Sequence, residues 1–180
     1  MGEGAGMIVL ERMESAQKRG VEILAEIVGF SSVSDAHHPT SPDPNGSGAK
    51  RTIRECLRGY QGPLIVNAHA TSTKIGDEIE LKALDELPNE CFITANKGNF
   101  GHLLGAGSAV ESIVSILTLQ KRIIPPITTS SNFLETNKKL CTDPVRLPSN
   151  ESLLLKTAFG FGGVNVALAF KTWAPARDRG

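Results

Sequence analysis

The sequence predicts an α/β fold, a mixed β-sheet flanked by helices. Three observations predict it. Short apolar runs at 63–67, 91–95, 153–158 and 164–170 have strand length and are bounded by turn-forming residues. Stretches with helical spacing of apolar residues alternate with the earlier runs. One long apolar segment, 102–119, opens with Gly105, Ala106, Gly107, Ser108 and Ala109, which favour close packing.

Taken in order, residues 5–10 read as a short buried strand. Residues 11–19 are charged, with Met13 and Ala16 three apart, and Gly20 ends them as a short exposed helix. Residues 21–30 read as a strand, and 31–48, rich in Ser, Pro, Asp, Asn and Gly, as a loop. Ile53, Cys56 and Leu57 fit a helix over 49–57. The run 63–67 follows a Gly-Pro break and reads as a buried strand, with a polar turn at 69–73. Ile79, Leu81, Ala83, Leu84 and Leu87 among acids fit a helix over 77–87. A strand at 91–95 and a turn at 96–101 come next. Residues 102–119 then form a helix apolar on nearly every side, which belongs between layers. An irregular stretch starts at 123–126. The strands 153–158 and 164–170 are joined by the loop 159–163, and the tail from Thr172 reads as frayed. Ligands of such sheets gather at loops beyond the strand ends, where the most unusual loops fall.

Composition excludes several classes. The length of 180 residues fits one domain. Nineteen basic and nineteen acidic residues balance without a like-charged run, so neither a nucleic-acid track nor an anionic-membrane surface is indicated. Cys56, Cys91 and Cys141 are sparse and odd in number, against a disulfide framework or a zinc site. Residues 1–7 carry no targeting segment, and no stretch is long enough for a membrane span. Their Gly-rich turn reads as the middle of a domain.

Four constellations carry chemistry. Asn67-Ala68-His69-Ala70-Thr71-Ser72-Thr73 sets a histidine after a buried strand, then three hydroxyls; it reads as a positioned imidazole with a polar arm site, or as a capping turn. In Lys97-Gly98-Asn99-Phe100-Gly101-His102 a lysine and a histidine flank a turn with two glycines at a helix mouth, where the positive helix end favours neutral imidazole; it reads as a site histidine or as a helix-entry histidine bonded to backbone. Glu111 is a lone carboxylate in an apolar helix and needs a partner, for which Lys97 is the nearest in kind. Phe159-Gly160-Phe161-Gly162-Gly163 lets backbone approach a ligand, or simply joins two strands.

In this order, NAHATST, KGNFGHLLGAGSAVES, FGFGG and the opening MGEGAGM resemble the β-ketoacyl-acyl-carrier-protein synthases over essentially the whole chain. These are the elongating condensing enzymes of type II fatty-acid synthesis, in the thiolase-like superfamily. The resemblance implies the C-terminal half of a thiolase-like fold, with 1–20 ending the first half and 21–180 forming the second. Without its other half such a chain would expose apolar surface.

The resemblance also implies decarboxylative Claisen condensation of malonyl-carrier protein with an acyl thioester. His69 and His102 would hydrogen-bond the malonyl thioester carbonyl, with Lys97 orienting the site and Glu111 as its counter-charge. Thr71 and Thr73 would hold the pantetheine arm, and Phe159 and Phe161 would line the substrate. The loop Gly160, Phe161, Gly162 and Gly163 would supply an oxyanion-hole N–H and a gating ring, with Asn165 in support. No organic cofactor or catalytic metal is implied; such proteins can hold a structural monovalent cation near Asn165 and Glu111, which the sequence itself does not show. The implied partners are acyl-carrier protein and a second copy in a homodimer.

The family's nucleophilic cysteine sits on a turn entering a helix among small residues. None of the three cysteines here reproduces that, so all read as structural. The ATST after His69 is more similar to mitochondrial than to bacterial members, so the expected setting is mitochondrial or else cytoplasmic. Ala70 stands where many members have glycine. Two other readings are a non-catalytic remnant or binding subunit, and a malonyl-thioester decarboxylase that performs no acyl transfer.

Overall fold

Period-2 alternation divides the strand residues between two faces of one sheet. In the computed structural model, which describes residues 1–88, 90–128, 132–147 and 152–173, that sheet has six strands. They are β1 (Glu26–Ser34), β2 (Leu64–Asn67), β3 (Cys91–Thr94), β5 (Lys139–Leu140), β7 (Leu153–Gly160) and β8 (Val164–Lys171), in the spatial order β1-β8-β7-β2-β3-β5. The short strands β4 (Ile123–Ile124) and β6 (Val145–Arg146) pair separately. The sheet is mixed, as expected. Strand β2 runs parallel to both β3 and β7, whereas β8 is antiparallel to β7 and β1.

Leu64 and Val66 of β2, Leu153 and Leu155 of β7, and Ala167 and Ala169 of β8 share one face. Against them pack helix α2 (Ser47–Leu57), through Ala49, Ile53 and Cys56, and helix α3 (Lys74–Leu84), through Ala83 and Leu84. Gly29 of β1 lets α2 lie this close, since a Cβ there would collide with the Cys56 carbonyl. The interleaved residues Ile65, Leu154 and Phe170 face the other way, toward Leu119 of helix α5 (Gly107–Lys121). Central strands buried on both faces explain why their runs are mostly apolar, with Asn67, Thr94, Lys156 and Thr157 as buried polar exceptions.

Several sequence expectations change. Residues 5–10 form no strand. Gly6 lies against Ala109, Val110 and Ile113 of α5, while Met7, Val9 and Leu10 stay exposed; upstream, Gly2 N–H donates to His102 O at 3.0 Å. Helix α1 (Met13–Arg19) ends on Gly20 as read. The strand expected over 21–30 is shifted later, to Glu26–Ser34, because its partner β8 sets its register. Most of helix α5 is at least partly covered, with Ser108, Leu117 and Lys121 exposed. Its buried stripe is largely polar, Glu111, Ser112, Ser115 and Thr118, while Leu117 is exposed. Ser115 and Thr118 satisfy their hydroxyls on the carbonyls of Glu111 and Val114, one turn back. The frayed tail was placed from Thr172; its residues 174–180 lie outside the described residues. No helix among the described residues is long and apolar enough to cross a membrane.

Candidate active site

Parallel strands bring their following loops to one edge. The loops after β2, β3 and β7 are therefore neighbours, although they lie far apart in sequence. The β2 alternation turns Ile65 and Asn67 toward α5. Asn67 Nδ2 donates there to Glu111 O (3.1 Å) and to Ser115 Oγ (3.0 Å). His69 follows two residues later. His102 comes from the segment between α4 (Lys97–Phe100) and the turn Leu104–Ala106. The two rings meet edge to face, with centroids 5.7 Å apart and planes at 89°. Phe159 stands on another side of His69, with centroids 5.8 Å apart.

His102 therefore lies ahead of α5 and does not begin it, which corrects the expected helix over 102–119. Its Nδ1 accepts the Leu104 N–H at 3.0 Å. In the neutral ring the proton must then sit on Nε2, which leaves that atom as a donor. The lowered pKa expected for it has a different cause from the helix end. Burial comes first, then repulsion by Lys97, against an opposing pull from Glu111.

Burial also drives His69 from an ordinary 6.5 down to about 3, with Lys97, Lys156 and His102 adding repulsion. Between those values the unfolded chain binds a proton that the folded chain does not. Stability should therefore rise with pH across that window, by at most about 1.4 kcal/mol per pH unit from this group. Urea melts through the window check this; a His69→Gln chain should show a flatter slope there.

The His69 loop is held by a residue that sequence reasoning missed. Glu80 of α3 is 4% exposed. Its carboxylate accepts the His69 N–H (2.9 Å), the Ala70 N–H (2.8 Å) and the Thr157 hydroxyl (2.7 Å). Ala70 and Ser72 adopt φ of 33° and 61°, left-handed conformations that cost a non-glycine residue energy and must be held by such contacts. Glu80→Ala should cost about 3 kcal/mol in urea unfolding, because it strands buried donors. A charged residue on the face shared with Ala83 and Leu84 was the available signal.

Lys97 and Glu111 pair as the sequence anticipated, Nζ to Oε1 at 2.6 Å, with side chains 8% and 1% exposed. The second Glu111 oxygen is also taken. Lys156 Nζ of β7 lies 2.8 Å from Oε2, another contact the sequence reading missed. A lysine in the middle of an apolar strand run was its signal.

A cavity of about 600 Å³ opens in front of the imidazoles. His69, His102, Thr71, Thr73, Phe159 and Phe161 are among its walls. Thr71 and Thr73 share a hydroxyl–hydroxyl hydrogen bond of 3.1 Å. Lys97 is not in that wall; it lines a separate cavity of about 280 Å³ with Asp77 and Glu80. The expected loop 159–163 is shorter than read, because Phe159 and Gly160 complete β7 and pair with Asn165 and Val164. Gly162 and Gly163, with φ of 82° and 73°, make the turn, and the Phe161 ring is 82% exposed at its tip. The turn is tied to the loop after β1. Gly162 N–H donates to Pro39 O (2.7 Å), Asp35 N–H to Gly163 O (2.8 Å) and Asn165 Nδ2 to Asp35 Oδ1 (2.7 Å).

All three cysteines are buried, and burial pushes their thiols up, Cys56 and Cys141 to about 11 and Cys91 to about 12. Thiols so raised do not supply a thiolate near neutrality.

Comparison with known proteins gives a consistent result. Residues 24–131 match the family model described as "Beta-ketoacyl synthase, C-terminal domain". The chain is 43% identical to a 3-oxoacyl-[acyl-carrier-protein] synthase homolog of Saccharomyces cerevisiae, covering 96% of this chain and 43% of the relative. It is 38% identical to the mitochondrial 3-oxoacyl-[acyl-carrier-protein] synthase of Arabidopsis thaliana, covering 94% and 39%. The chain thus spans less than half the length of these curated relatives. Among solved structures, the ishigamide ketosynthase/chain length factor matches with a TM-score of 0.85 and 32% identity, over 96% of this chain and 44% of that one. A type II PKS ketosynthase in complex with its acyl-carrier protein matches with a TM-score of 0.81 and 26% identity, over 91% and 42%.

Proposed function

The chain belongs to the β-ketoacyl synthase family, matching its C-terminal domain, and from that premise we propose that it forms the malonyl-activating part of a 3-oxoacyl-acyl-carrier-protein synthase. One observation carries the reading: two imidazoles from separate loops meet edge to face at the mouth of one cavity. The chemistry that needs such a pair is loss of carbon dioxide from a malonyl thioester. The electrons of the breaking C–C bond move into an enolate, and negative charge develops on the thioester oxygen. Two neutral donors aimed at that oxygen stabilise the transition state more than the ground state. His102 offers Nε2–H, as its Nδ1 bond requires. His69 is the second donor. Lys97 and Glu111 act from behind the rings, as positioning residues.

In the complete reaction the enolate carbon attacks an acyl thioester and a cysteine thiolate leaves. The three cysteines here are poor candidates for that thiolate because all are buried with raised pKa values. In this reading Thr71 and Thr73 hydrogen-bond a pantetheine arm, and the Phe161 N–H completes an oxyanion hole. A carrier protein delivering malonyl and acyl groups is the partner this requires, and the mitochondrial relative makes that organelle the first place to look.

The same buried thiols favour one narrower reading, a malonyl-thioester decarboxylase. Its assay is also the test of the shared step. The purified chain is supplied with carboxyl-labelled malonyl-carrier protein and released carbon dioxide is counted. Turnover above the buffer rate supports the imidazole pair as the decarboxylating device; no release at saturating substrate removes it.

A further inference from the structure

A strand buried on both faces ordinarily carries apolar residues along its middle. Lys156 breaks that rule at 2% exposure. Its place in the alternation, two residues from Leu154, turns it toward α5. Its Nζ meets Glu111 Oε2 at 2.8 Å and also donates to Thr157 O. Lys97 holds the other Glu111 oxygen at 2.6 Å. One buried carboxylate thus stands between two buried ammoniums.

The charge count separates this arrangement from a simple ion pair. Lys97 with Glu111 alone would be neutral. Two ammoniums against one carboxylate leave one net positive charge among these three groups, in a region where solvent screens poorly, and the buried Glu80 carboxylate is a further charge that acts on Lys156. Holding β7 against α5 does not require this, because well-packed apolar residues do so at lower desolvation cost.

We propose that Lys156 is a second cationic positioning residue of this site, sharing Glu111 with Lys97 so that the buried cluster presents one net positive charge behind the paired imidazoles. That charge attracts the negative charge developing on a thioester oxygen in front of the rings, and it opposes protonation of His69. The groups facing His69 are Lys97 of α4, His102 before α5, Lys156 of β7, and Glu80 of α3 through the His69 N–H. Asp77 of α3, with Asp35 and Asp43 of the loop after β1, lines the same cavity, and Glu111 of α5 stands behind Lys97. Burial lowers the Lys156 pKa, and Glu111 opposes that shift. The substrate in this inference rests on the decarboxylation reading above; the electrostatics do not.

The test compares the 180-residue chain with its Lys156→Met variant, which keeps the length of the side chain and removes the charge. Histidine-labelled NMR follows the His69 titration, and labelled carbon dioxide follows malonyl-carrier-protein decarboxylation. The His69 midpoint should move up toward the ordinary imidazole range. Decarboxylation should fall about tenfold, equivalent to about 1.4 kcal/mol. A folded variant with an unmoved His69 midpoint overturns the proposal. If the midpoint moves while neither chain decarboxylates, the positioning role stands and the decarboxylation reading fails. If the variant does not fold, lysine-labelled NMR of the unmodified chain decides: Lys156 must still be an ammonium at neutral pH, and a neutral amine there overturns the proposal.

Discussion

Replacing His69 with alanine should lower malonyl-thioester decarboxylation by roughly a hundred- to a thousandfold, and His102→Ala should do the same. The expectation follows from one geometry. The rings meet edge to face with centroids 5.7 Å apart, so both can donate into the same small volume. Each alanine removes one donor from the point where negative charge accumulates. The donors act together on one oxygen, so the double variant should fall little further than either single variant. Loss of packing is a smaller matter at these positions, because both histidines are only partly buried. Steady-state rates with carrier-protein-bound malonate are the measurement, and the drop should appear in kcat more than in KM. A His102→Ala chain with near-native turnover would leave His69 as a lone donor and remove the reason for the pairing.

The second large effect concerns folding. Glu111→Gln should destabilise the chain by about 3–5 kcal/mol in urea unfolding. Both carboxylate oxygens are engaged, by Lys97 at 2.6 Å and Lys156 at 2.8 Å, and all three side chains are nearly inaccessible. An amide at this position cannot balance two buried ammoniums, and one of them must lose its proton or open the structure to water. Lys97→Met should cost less, because Glu111 keeps Lys156. A Glu111→Gln chain as stable as the parent would mean that the cluster is hydrated and carries no special potential.

The sequence made the sheet and its edge legible for definite reasons. The runs at 63–67, 91–95 and 153–158 are mostly apolar because β2, β3 and β7 are packed on both faces, with Asn67, Thr94, Lys156 and Thr157 as buried polar exceptions, and such runs are hard to mistake when Gly and Pro bound them. His69 and Lys97 could be placed at strand ends for the same reason. The resemblance to a condensing-enzyme family then linked His69 to His102, which no spacing rule could have done, since only the parallel pairing of β2 with β3 brings their loops together. What stayed hidden were partners across layers. Glu80 looks like one acid among several on a helix, and its three acceptor contacts depend on where α3 lies under the His69 loop. Lys156 stands out in its run, but its partner is forty-five positions earlier on α5, roughly a distance at which charge complementarity alone cannot choose between candidates. The apolar segment 102–119 misled in the opposite way. Its composition suggested a helix enclosed on every side by apolar packing, yet the fully buried positions of α5 are mainly polar, with Leu119 the large apolar residue packed against the sheet. Residues 5–10 have strand composition but pair with no strand, so they remain irregular.

Central to this account is a pair of uncharged imidazoles, each with one ring N–H that faces one substrate oxygen. Nitrogen-15 NMR of histidine-labelled chain, recorded at neutral pH with and without a non-hydrolysable malonyl-pantetheine analogue, tests it most directly. Both His69 and His102 should give the spectra of neutral rings, His102 protonated on Nε2, and the ring N–H signals of both should shift together as the analogue binds. A cationic ring at neutral pH, or a shift confined to one histidine, would contradict it.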